Sequence, residues 1–169
     1  MSKSTLDDVR EGPPRRGETL RRLGLAMLIL VLVLGAAGLL GDQDRTEGAT
    51  EGDYTVSLEY PQSSRAGLDV PWQLTITSAT GFGDEVVVRV SSEYFASFQY
   101  HGMSPEPVTQ SSDGTYTYWT FAPPPGQQLV IEVNHTVKPS SWLPTDGQVA
   151  ILIDGRPVAP IDFTTLVFP

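Results

Sequence analysis

The run from Leu23 to Gly41 is 19 residues without a charge, bounded by Arg21-Arg22 before it and by Asp42 and Asp44 after it. At about 1.5 Å of rise per residue, a helix of that length comes close to the roughly 30 Å hydrocarbon core of a bilayer. Leu, Ile, Val, Met and Ala fill Leu25 to Leu34, with no polar face among them. A helix packed on a soluble domain keeps a polar face, so the run predicts a transmembrane helix over residues 23–41. Gly35, Ala36, Ala37, Gly38 and Gly41 gather at its far end, where small residues let membrane helices approach, although the GxxxG spacing is absent.

Two readings compete for such a run, a retained anchor and a cleaved signal. Gly35 and Ala37 are small residues two apart, so cleavage after Ala37 is the alternative. The polar segment before the run is 22 residues long. The run itself exceeds the roughly 7–15 apolar residues of a cleaved signal, which favours the anchor. Lys3, Arg10, Arg15, Arg16, Arg21 and Arg22 precede it, whereas Asp42 and Asp44 follow. The positive-inside rule then puts the N-terminus in the cytoplasm and the C-terminal part outside, as a single-pass protein of the cell membrane. Residues 1–22, with Gly12-Pro13-Pro14 and no apolar periodicity, read as a disordered cytoplasmic tail.

Residues 42–169 carry 5 basic and 16 acidic residues, a net charge of −11. Such a surface repels nucleic acid and anionic headgroups. Residues 42–53 (DQDRTEGATEGD) have no bulky apolar side chain and are expected to form a flexible acidic linker. The absence of cysteine excludes disulfide staples and thiolate metal sites, so residues 54–169 must hold together by packing alone.

From Tyr54 onward the pattern alternates. Val56, Leu58 and Tyr60 share one face, and Pro61 with the Ser-Ser-Arg-Ala-Gly stretch is expected to end that strand. Trp72, Leu74 and Ile76 point inward on a second strand, Val86, Val88 and Val90 on a third, and Leu129, Ile131 and Val133 on a later one. Asp113-Gly114 and Asp154-Gly155 are hairpin turns in which both positions should take positive φ. Tyr94 to Tyr100 is expected to be a short strand or a packed loop. Seven or eight short strands separated by turn signals predict an all-β domain, an antiparallel β-sandwich, with a small closed barrel as the competing architecture.

The stretch FAPPPGQQLVIEVNHTVKP is an apolar strand end, a proline-glycine corner and an alternating strand closed by proline. In this it resembles, at the level of class, the immunoglobulin-like or CARDB-like domains of prokaryotic surfaces. The Cys-Trp-Cys core of antibody domains is missing. What the resemblance implies is a binding or spacer module without an activity.

Chemistry is sparse. The chain has two histidines, His101 and His135, where zinc usually takes three or four ligands. His101-Gly-Met103 is a His-x-Met half-site of the kind that suits Cu(I), making His101 and Met103 the weak candidates for a copper carrier. No Gly-x-Ser-x-Gly elbow, Ser-x-x-Lys pair, calcium loop or phosphate-cradling glycine loop occurs, so neither an enzyme nor a cofactor is expected. Asn134-His135-Thr136 fits the N-glycosylation triplet but falls inside an expected strand.

Aromatic residues offer more. Tyr116 and Tyr118 oppose Trp119 and Phe121 on one strand, and Tyr94 and Tyr100 flank Phe95 and Phe98. Tyr94, Tyr100, Tyr116, Tyr118 and Trp119 are therefore the candidate interaction surface, with Phe95 and Phe98 in the core. The chain reads as a membrane-anchored, extracytoplasmic, non-catalytic interaction or accessory module. Its expected partners are the bilayer, through residues 23–41, and another membrane or exported protein.

Overall fold

The computed structural model describes residues 15–36, 43–139 and 144–168. They form two separate compact units, 1–41 and 42–169.

The first unit holds one helix, α1 (Arg15–Ala36). It begins inside the charged segment expected to be a disordered tail, where Arg22 and Glu18 pair at 3.1 Å one turn apart. From Leu23 on, its described side chains are apolar and exposed: Leu25, Leu28 and Ile29 are each more than half accessible. Among the described residues no helix is long and apolar enough to cross a membrane. The apolar part of α1 from Leu23 to Ala36 is 14 residues, about 21 Å of rise, short of the roughly 30 Å needed. The rest of the uncharged run, with Ala37, Gly38, Gly41 and the alternative cleavage point, lies outside the described residues, as do the first 14 residues and Trp142.

The second unit is almost entirely β. Its strands are β1 (Gln43–Glu51), β2 (Tyr54–Arg65), β3 (Asp69–Ser78), β4 (Val86–Ser91), β5 (Phe98–Ser104), β6 (Thr109–Ser112), β7 (Tyr116–Phe121), β8 (Gln128–Val137), β9 (Thr145–Ile153) and β10 (Arg156–Phe168), with one short helix, α2 (Ser92–Ala96). Strands β5-β8-β3-β2 form one sheet, with β1 on the far side of β2, and β10-β9-β4-β7-β6 form the other. All ladders are antiparallel except Leu166–Phe168 of β10 against Ser63–Arg65 of β2, which links the sheets. Among the described residues no ladder joins β5 to β6, so the sheets form an open sandwich and the closed barrel is set aside.

The strand order is that of an immunoglobulin-like sandwich: β2-β3-β8-β5 lies as A-B-E-D and β10-β9-β4 as G-F-C, with β7 and β6 extending the second sheet beyond C. In chain order β5, at the D position, comes before the hairpin that extends the second sheet.

Alternation positions the core as expected. Val56, Leu58, Trp72, Leu74, Ile76, Val88, Val90, Ile131 and Val133 are all buried. The aromatic centre was less legible. Trp72 packs edge-on against Trp119 with ring centroids 6.0 Å apart, and Tyr94 sits 4.7 Å from Phe163. Gly147 of β9 faces that same Phe163 so closely that an added Cβ would lie 2.5 Å from the ring.

Three local expectations are corrected. Residues 43–51 are not a flexible linker but strand β1, paired along β2 from Gln43↔Ser63 to Glu51↔Tyr54. A ladder is made of backbone groups, so a segment without bulky apolar residues can still supply one; Glu51 also accepts the backbone N–H of Ala159 at 2.7 Å. Pro61 does not end its strand, because β2 runs on to Arg65 with its pairing to β1 irregular near Gln43. The β6–β7 turn has positive φ at Gly114 (94°) alone, with Asp113 flanking it, whereas Asp154 (51°) and Gly155 (75°) are both positive. The second turn is therefore the expected type I′ pattern, and the first follows the type II′ pattern with glycine leading.

Candidate functional site

The outer face of the second sheet carries a row of fixed polar and aromatic side chains. Arg89 sits centrally on β4, opposite Ala150 on one side and Tyr118 on the other. Its guanidinium lies 4.1 Å over the ring of Tyr116, a cation–π contact. Arg89 Nη2 donates to Gln148 Oε1 at 2.7 Å, and Gln148 Nε2 donates to Asp162 Oδ1 at 2.7 Å. Tyr116 O–H reaches the same Gln148 oxygen at 3.4 Å.

Farther along the face, Tyr118 O–H donates to Asp113 Oδ2 at 2.7 Å. Asp113 Oδ1 accepts the backbone N–H groups of Tyr116 (2.7 Å) and Thr115 (2.9 Å). Those bonds, the one from Tyr116 foremost and the Tyr118 hydroxyl next, hold the Asp113 carboxyl below its ordinary range. The same pairing raises the Tyr118 phenol. The row runs from Asp162 on β10 through β9, β4 and β7 to the β6–β7 turn. Its rings are neither sunk in the core nor free: each is only half-buried and is held by a named partner.

Of the five expected surface aromatics, the structure brings Tyr116 and Tyr118 together on this face. Tyr100 is 60% exposed but lies on β5, in the other sheet. Tyr94 and Trp119 are corrections, since both are buried. Trp119 shares the inward side of β7 with Phe121. Tyr94 falls on α2, whose turn aims its ring between Phe95, Phe98 and Phe163. Its hydroxyl meets Thr165 Oγ1 at 3.0 Å, and that threonine donates to the carbonyl of Pro61 at 2.7 Å. Five residues are too few for helical periodicity to show, so the segment read as a short strand or packed loop and the helical turn that buries Tyr94 was not legible. Phe98 is buried as expected, and Phe95 is partly buried against the core.

The His-x-Met half-site does not assemble. Met103 is buried in the core, while His101 stands on the outer face in an irregular stretch of β5 and bonds Thr136 at 2.6 Å. The backbone irregularity between Tyr100 and Gly102 sets the two side chains on different sides, which spacing alone could not reveal. His135 continues the inward series of β8 and is buried between Phe95 and Phe98, with ring centroids 5.7 and 4.5 Å away. Asn134 is exposed within β8. Arg89, Gln148 and Asp162 were missed, because each is an ordinary polar residue on an outward strand position until register sets them side by side.

No family model matches this chain, and no curated protein does. Among solved structures, the CARDB domain of a Pyrococcus furiosus protein in complex with di-metal ions aligns at a TM-score of 0.41 and 16% identity, over 71% of this chain and 100% of that one. The sixth cohesin of Acetivibrio cellulolyticus scaffoldin B, in complex with a dockerin, aligns at 0.38 and 12% identity, over 75% and 99%. A Pseudomonas fluorescens alkylpurine DNA glycosylase aligns at 0.32 and 14% identity, over 68% of this chain and 31% of that one. Likenesses this faint assign nothing that those proteins bind or do to this chain.

Proposed function

We propose that this chain is a non-catalytic interaction module of the cell envelope, an exported β-sandwich held at the membrane by its N-terminal apolar helix. The observation that bears most weight is the ordered row from Asp162 to Asp113. Two tyrosines and an arginine, residue types that dominate binding energy in protein interfaces, are fixed there before any partner arrives. Side chains already held in place lose less entropy on association. The part of α1 from Leu23 on, which has no polar face, supports the anchor, because such a surface is costly in water. The charge difference between the two flanks of the run supports the orientation. The partner on this reading is another membrane or exported protein.

Site-specific photo-crosslinking tests the contact surface. A photoreactive phenylalanine analogue at Tyr118 in native membranes is expected to give a discrete heterogeneous adduct. The same analogue at the exposed Thr77 of the other sheet should give none. Equal adducts from both positions, or none from either, would rule out the tyrosine face as the contact surface.

A further inference from the structure

A second site stands on the outer face of the first sheet, independent of the tyrosine face. There β3, β8 and β5 border an open pocket of about 770 Å³ whose lining residues include Asp69, His101, Asn134, His135 and Thr136. Thr136 Oγ1 donates its one proton to Asp69 Oδ1 at 2.5 Å, since an ionised carboxylate only accepts. Thr136 must then accept from His101, 2.6 Å away, so the ring proton of neutral His101 is on Nε2. Nδ1 is left as a lone pair. The hydrogen-bonded chain fixes the tautomer in the way a carboxylate commonly orients a ligand-binding imidazole.

The pocket thus offers electron pairs at His101 Nδ1 and at the second oxygen of Asp69, beside the Asn134 amide, which can accept or donate. No lysine or arginine lines it. A ligand that matches must be rich in donors and poor in acceptors. A metal ion would need three or four protein ligands, and among the described residues no group of three His, Cys, Asp or Glu comes together. An ammonium group has three N–H donors and no acceptor. The net charge of −11 over residues 42–169 raises the local concentration of such cations. We propose that this pocket binds a primary ammonium group, supplied by a lysine side chain of a protein or by a free polyamine.

The chain's two histidines make the test direct. Full-length protein in detergent micelles, labelled with ¹³C at histidine only, gives one ring signal from His101 and one from His135. It is titrated at pH 8 with N-acetyl-lysine amide, with spermidine, and with N-acetyl-norleucine amide, which has the same chain without the ammonium. The expected result is a saturable shift of the His101 signal with lysine amide, with spermidine or with both, while the norleucine analogue has no effect. A response to spermidine alone assigns a free polyamine, and one to lysine amide assigns a protein side chain. Asp69→Asn should weaken the response at least tenfold with an unchanged melting temperature, which shows the fold intact. No shift with either amine, an equal shift with the norleucine analogue, or undiminished binding by Asp69→Asn would overturn the proposal.

Discussion

Burying an imidazole in its core makes this sandwich sensitive to acid. His135 is 1% exposed, its Nδ1 lies 3.3 Å from the Val133 carbonyl, and its Nε2 has no hydrogen-bond partner among the described residues. Burial, the largest cause, pushes its pKa down from 6.5 to about 4. Above pH 6.5 the ring is neutral both folded and unfolded and contributes no pH dependence. Between pH 6.5 and about 4 the unfolded chain takes up a proton that the folded chain refuses, so stability falls as pH falls and levels off below that window. The loss attributable to this residue is about 3 kcal/mol at pH 4. Urea unfolding of residues 42–169 at pH 7 and pH 4 measures it. His135→Leu should lose less stability than wild type over that interval, and an identical loss would assign the acid sensitivity to the carboxylates instead. A second residue-scale test is Gly147→Ala. The new methyl would meet the Phe163 ring between two packed sheets, and overpacking of this kind costs about 1–3 kcal/mol. A melting temperature at or above wild type would mean that the ring moves aside freely.

The element that changes the picture most is β1. It covers one edge of β2 along nine residues, and Glu51 at its end holds the backbone N–H of Ala159, itself at an unusual φ of 48°. A fragment beginning at Asp53 loses this ladder and exposes the edge of β2, whereas one beginning at Asp42 retains both. The shorter fragment is expected to melt lower by about 10 °C or more. Equal melting would mean that β1 is an ornament on the sheet. Strands with a buried face were legible because period-2 alternation reports burial directly: Leu74, Val88 and Ile131 could be read straight from the chain. Segment β1 was not, since backbone pairing leaves no apolar signature, and neither was α2, which is too short to show a period. The candidate site was legible in part. Alternation set Tyr116 and Tyr118 away from Trp119, but only the register of β4, β7, β9 and β10 places Arg89, Gln148 and Asp162 beside them.

For the molecule as a whole, the two units make different demands. The sandwich closes its core between two sheets without disulfides, and its acidic surface keeps it in water. The helix has an apolar surface that no described residue of its own unit covers. In the proposed topology a bilayer covers the apolar run from Leu23 on, the six basic residues before that run stay in the cytoplasm and the domain is exported. The chain contains no cysteine, so single cysteines introduced at Ser4 and at Thr77 can be read without background. Intact cells expressing each variant are treated with a membrane-impermeant maleimide, and the membranes are then washed with alkaline carbonate. An anchored, exported domain predicts that Thr77→Cys is labelled on intact cells, that Ser4→Cys is labelled only after permeabilisation, and that both remain in the washed membranes. Labelling in the opposite sense, or release of the domain into the soluble fraction, would contradict that topology.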